Sequence, residues 1–132
     1  MEDKLIDFKT AVLAKEKGFN WETLYCYLEN GELQYSSGDD GDHDGYNHNK
    51  WDNISAPTQS LLQAWLREKY NIHIELQFSR NSTDDGLEWW FYLYPNINIG
   101  GRVKFFPYEI GENLTFNAAL EQGLLKALKF IK

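Results

Sequence analysis

Residues 55–78 read SAPTQSLLQAWLREKYNIHIELQF, and this stretch decides the fold. Its spacing predicts a helix over 54–70, with Ser55 or Ala56 as cap. Pro57 then sits in the first turn, where a missing N–H removes no helical bond. Leu61, Leu62, Trp65 and Leu66 recur at helical spacing and form the expected buried stripe, while Gln63, Arg67 and Glu68 look outward. Asn71 suits a left-handed exit. A strand follows almost at once: Ile72, Ile74, Leu76 and Phe78 alternate with His73, Glu75 and Gln77, the period of a half-buried strand.

Downstream, Leu87 to Tyr94 (LEWWFYLY) reads as the next strand, ended by Pro95. Arg102 to Phe106 reads as a short third strand, with Val103 and Phe105 inward. Thr115 to Ile131 reads as a closing helix with Thr115 as N-cap. Its stripe is Phe116, Ala119, Leu120, Leu124, Ala127 and Ile131, and Gly123 lies on it. Glycine inside a helix costs about 1 kcal/mol against alanine, so Gly123 marks a close backbone approach.

Upstream, Lys4 to Lys17 reads as a short helix with Leu5, Phe8 and Val12 on one stripe and Ala11 beside them. Gly18 is its left-handed terminator, and Phe19 folds back on the last turn. Thr23 to Tyr35 reads as a β-hairpin. Asn30-Gly31 predicts a two-residue type I′ turn, pairing Leu28 with Leu33 and Cys26 with Tyr35. That register places Leu24, Cys26, Leu28, Leu33 and Tyr35 on the core face.

The expected architecture is α+β in one domain. A three- to five-stranded antiparallel sheet packs with two main helices in the order α-β-β-β-α, preceded by a helix and a hairpin. Double-stranded RNA-binding domains share that order, but they need a basic cluster at the start of the last helix. Here that region reads TFNAALEQ, without lysine.

Composition narrows the function. At 132 residues with 42% hydrophobic and 16% aromatic residues, the chain can bury a core without staples. A net charge of −7 and the lack of a Lys/Arg run argue against nucleic-acid binding. Cys26 is the sole cysteine, so neither an intrachain disulfide nor a thiolate zinc cluster is available. The start MEDKLIDFK carries no signal-peptide pattern, and no apolar run reaches membrane length, so a cytoplasmic setting is expected.

Residues 36–53, SSGDDGDHDGYNHNKWDN, lose all periodicity and predict a long mobile acidic loop. Within it Asp40, Asp42, Asp44 and Gly45 form D-x-D-x-D-G, a calcium-loop half-pattern in which alternate side chains converge on a hard cation. The second half fails, because a loop starting at Asp40 would need Glu where Trp51 stands. His43 and His48 lie nearby without metal-site spacing, and His73 stands on the polar face of a strand. No cysteine–histidine pair, nucleophile elbow or phosphate loop is present, and Asp84-Asp85 lies in a turn. The chain therefore reads as non-enzymatic, with no cofactor and no assigned metal ligand.

The unusual strand is Leu87 to Tyr94. Alternation puts Leu87, Trp89, Phe91 and Leu93 on one face and Glu88, Trp90, Tyr92 and Tyr94 on the other. The second face is too aromatic for plain solvent. One reading has residues 1–35 covering it. The other makes Trp90, Tyr92 and Tyr94 a contact surface for a protein partner or a second copy, since Trp and Tyr favour interface centres.

The block SAPTQSLLQAWLRE at 55–68 and ALEQGLLKAL at 119–128 resemble a family of small uncharacterised phage and prophage proteins of Bacteroides-type bacteria. KEKGF at 15–19 and the tyrosine-rich strand at 25–27 add to the likeness, which spans two-thirds of the chain and leaves the acidic loop outside. The resemblance implies an origin in a mobile element. It brings no catalytic residue. The leading expectation is an accessory protein that binds a protein. Alternatives are a calcium-responsive module on the loop from Asp40 to Gly45 and an acidic mimic of nucleic acid.

Overall fold

A computed structural model describes residues 4–35, 49, 52–80, 87–94, 103–105 and 116–131, with 77–80, 87–91 and 103–105 described by their backbone. The chain is an α+β protein whose described elements are three helices and two antiparallel three-stranded sheets. Its contacts divide it into two compact units, residues 1–65 with 132 and residues 66–131.

In the first unit, the helix expected from Lys4 begins only at Phe8. Residues 4–7 are extended instead, because their backbone finds partners in residues 57–59. Leu5 bridges Thr58, Ile6 N–H donates to Pro57 O at 3.0 Å, and Gln59 N–H donates to Lys4 O at 2.7 Å. Helix α1 (Phe8–Glu16) buries Thr10, Ala11 and Ala14. Phe8 and Val12, expected on the buried stripe, are half-buried. The terminator is the one expected. Gly18 has φ +94°, its N–H donates to Lys15 O at 3.1 Å, and Phe19 N–H reaches Ala14 O at 2.9 Å. Phe19 is buried, edge-on to Trp65 at 5.3 Å between ring centroids.

Strands β1 (Tyr25–Tyr27), β2 (Leu33–Tyr35) and β3 (Ile54–Ser55) form a sheet in the order β2-β1-β3. The hairpin exists, but its register differs from the type I′ expectation. Tyr25 pairs with Tyr35, Cys26 with Gln34, and Tyr27 with Leu33. Gly31 N–H donates to Leu28 O at 2.9 Å, and Leu28 N–H donates to Glu32 O at 2.8 Å. Of the turn residues only Gly31 has positive φ, at +88°. This is a three-residue loop, a type I turn followed by one left-handed glycine. Shifting the register by one residue moves Leu33 and Tyr35 to the face of Tyr25 and Tyr27, away from Cys26. Leu33 and Tyr35 are accordingly 45% and 55% exposed, not core. Leu24, also expected inside, is 40% exposed.

Ile54 and Ser55, expected in the helix, pair with Tyr27 and Cys26. Helix α2 (Gln59–Tyr70) starts four residues later than Ser55. Its cap is Thr58, whose Oγ1 accepts the Leu61 N–H at 3.2 Å. Pro57 lies just outside the helix, and its carbonyl serves the extended N-terminal segment instead. Leu62 and Trp65 are fully buried, whereas Leu61 is half-buried.

The second unit begins at Leu66, which is buried, followed by exposed Arg67 and Glu68. Asn71 takes φ 57°, and its N–H donates to Arg67 O at 3.0 Å, the expected left-handed exit. Strands β4 (His73–Arg80), β5 (Leu87–Tyr94) and β6 (Val103–Phe105) form the second sheet in that order. Helix α3 (Phe116–Lys129) packs on β5 and β4. Ala119, Leu120, Leu124, Ala127 and Ile131 of the expected stripe are buried, with Gly123 and Leu128 among them. Ile72, just before β4, and Ile74 and Leu93 on the sheet are buried. Thr115, Pro95 and residues 97–101 lie outside the described residues.

Candidate functional site

The strand pairing builds the candidate site. β4 and β5 run antiparallel over eight pairs, with Ile74 opposite Leu93 and Glu75 opposite Tyr92. Because side chains alternate, Ile74 and Leu93 share the buried face. His73, Glu75, Tyr92 and Tyr94 share the other, and all four are half-buried. Trp90 stands opposite Gln77, two residues along β5 from Tyr92 on the same face by alternation. The three expected contact residues therefore follow one another along the middle strand of this sheet.

A hydrogen bond joins the two strands on this face. The Tyr94 hydroxyl donates to Glu75 Oε2 at 2.7 Å. Glu75 and Tyr94 are diagonal neighbours across the pair, within reach of a long side chain on a twisted sheet. A phenol donating to a carboxylate makes a short, charge-assisted bond and holds both side chains in one rotamer. At the strand start, His73 Nε2 lies 3.1 Å from Asn71 Oδ1, within hydrogen-bonding distance. On β6, Lys104 stands opposite Tyr92, so Glu75, Tyr92 and Lys104 form one row across the sheet.

Sequence alternation predicted the aromatic positions but not the role of Glu75. The pairing partner of Glu75 depends on the register of β4 against β5. The available signal was the near-equal length of the two strands read at 72–78 and 87–94.

The first unit carries a small concavity. A cleft of about 170 Å³ is lined by Leu5, Thr23, Leu24, Tyr25, Pro57 and Leu61, with Glu22 also in its lining. Small-molecule pockets span roughly 300–1,000 Å³, so this one fits a single side chain rather than a substrate. Cys26 is buried at 3% exposure, and burial pushes its thiol above the ordinary value. An un-ionised buried thiol is a packing group, not a nucleophile.

Among the described residues, no three His, Cys, Asp or Glu side chains cluster to hold a metal ion. Asp40, Asp42, Asp44, His43, His48 and Asp84-Asp85 lie outside the described residues. One edge of that loop is fixed at Asn49. Its Oδ1 accepts the Ser55 N–H at 2.8 Å, its Nδ2 donates to Phe19 O at 2.9 Å, and its own N–H donates to Ser55 Oγ at 3.1 Å. Asn49 thus joins the end of α1 to β3, a role the sequence pattern did not single out. Lys15 Nζ adds a 2.9 Å bond to Asn53 O. No described helix is long and apolar enough to cross a membrane.

Comparison with protein-family models, with curated proteins and with solved structures finds no match in any of the three.

Proposed function

We propose that this chain is a non-enzymatic, protein-binding accessory protein of a phage or prophage, working in the cytoplasm of a bacterial host. Its contact face is the side of β4–β5 that carries Trp90, Tyr92 and Tyr94. The observation that supports this reading is the half-buried face holding Tyr92 and Tyr94, with Tyr94 bonded to Glu75 at 2.7 Å. Rigid aromatic side chains lose little entropy on binding and dominate interface energetics. A net charge of −7 turns the chain away from nucleic-acid phosphates and toward protein surfaces. The mobile-element setting rests on the resemblance of residues 55–68 and 119–128.

The test is a pull-down from nuclease-treated bacterial lysate, comparing wild type with a folded Trp90→Ala, Tyr92→Ala double variant. Expected is a protein that wild type enriches and the double variant does not. Equal profiles would remove the aromatic face as the contact.

A further inference from the structure

We infer that the partner of the β4–β5 face is a second copy of this chain, an inference that rests on the protein-binding reading of that face. The carrying observation is the cross-strand row Glu75–Tyr92–Lys104, set by the register of β4, β5 and β6. It places an acidic position on one outer strand, an aromatic one on the middle strand and a basic one on the other outer strand. Such a row is its own complement. A two-fold axis parallel to β5 lays β4 of one copy over β6 of the other, because rotation about the middle strand exchanges the outer two. Glu75 of each copy then aligns with Lys104 of its mate, as isologous pairing requires.

The same operation keeps β5 over β5, so Trp90, Tyr92 and Tyr94 all fall along the axis. Aromatic positions lie at the centre and charged positions at the flanks, the arrangement of an interface core with a polar rim. The Tyr94 hydroxyl holds the Glu75 carboxylate on this face before association, which lowers the ordering cost. The other face of the sheet is occupied, since α3 packs on β4 and β5.

Size sets the strength. At about 4.8 Å between strands and about 3.3 Å per residue, the eight residues each of β4 and β5 and the three of β6 give a face of roughly 300 Å². That lies below the standard interface of about 800 Å² per partner, so the dimer is weak and concentration-dependent.

Sedimentation velocity across roughly 10–500 µM protein tests this in the range where such small interfaces operate. Wild type is expected to shift from monomer toward dimer. Glu75→Lys and Lys104→Glu, each placing like charges opposite one another twice, are each expected to weaken the dimer by about tenfold. An equimolar mixture of the two variants, and the double variant Glu75→Lys/Lys104→Glu, restore the opposite-charge pairs and are expected to restore association. Lys104→Glu keeps the Glu75–Tyr94 bond and so separates loss of association from loss of fold. Unchanged melting curves for this variant complete the control. A wild type that stays monomeric, single variants that dimerise normally, or a double variant that does not recover would each overturn the dimer. A monomeric wild type that still loses a lysate partner on Trp90→Ala, Tyr92→Ala would overturn the dimer alone and leave the binding face standing.

Discussion

The Tyr94 hydroxyl donates a 2.7 Å hydrogen bond to Glu75 Oε2, linking β5 to β4 on the sheet face opposite buried Ile74 and Leu93. The bond ties an aromatic side chain to a carboxylate at the place where the face would meet a partner. Hydrogen bonds to charged groups contribute about 1.5–3 kcal/mol, and partial exposure moves this one to the low end. Tyr94→Phe is therefore expected to lose about 1–2 kcal/mol. Glu75→Gln keeps an acceptor and should lose less. Urea denaturation with an unchanged m-value measures both, and a larger loss for Glu75→Gln would show that Tyr94 is not its main partner.

The hairpin turn makes a second expectation sharp. Gly31 sits at φ +88°, and a Cβ there would meet the Phe8 ring at an ordinary 3.7 Å. Gly31→Ala should thus pay only the left-handed backbone penalty, about 1–2 kcal/mol. Asn30 needs no positive φ, and its Oδ1 accepts the exposed Glu32 N–H at 2.9 Å. Asn30→Ala should lose only about 0.5–1 kcal/mol. Equal losses at both positions would point back to a type I′ turn.

Asn49 is the hub of the first unit's loop base. Asn49→Ala removes the acceptor of the Ser55 N–H and the donor to Phe19 O. Ser55 is fully buried, so its N–H is left without that partner. The expected loss is about 2–3 kcal/mol, from one desolvated donor and one lost bond. Thermal melting of the variant checks it, and a neutral result would show that water replaces the amide.

Cys26 gives the protein an alkaline limb. Its thiol is pushed up from 9.0 by burial. Between 9.0 and the raised value the unfolded chain has lost the proton and the folded chain has kept it. The unfolded state then binds fewer protons, so stability falls as pH rises. The contribution is whole below 9.0 and is lost as pH climbs through the folded value. Cys26→Ala should flatten the decline of stability above pH 9.0, measured by urea midpoints on either side of that pH.

Much of the architecture was legible along the chain, and particular residues show why. Gly18 and Asn71 end their helices in the left-handed conformation because local sterics alone single them out. The alternation at 72–76 and the stripe at 119–131 carry the two periods that separate strand from helix. Other positions misled. Ser55 and Pro57 look like a helix start, yet Thr58 is the cap because Ser55 has a strand partner in Cys26. Leu5 looks helical, yet Thr58 bridges it. Asn30-Gly31 looks like a two-residue turn, yet the adopted register gives it three residues and sends Leu33 and Tyr35 to the other face.

By itself, then, the amino-acid order determined the three helices, the β1–β2 hairpin and the strands β4 to β6, and placed Trp90, Tyr92 and Tyr94 at alternating positions of one strand. These follow from interactions between residues a few positions apart. Tertiary structure alone decided where segments begin, which strand registers close, and that Glu75 both accepts the Tyr94 bond and starts the row leading to Lys104. Backbone groups at segment ends have competing partners of nearly equal local energy, and only hydrogen bonds to residues distant in sequence break the tie.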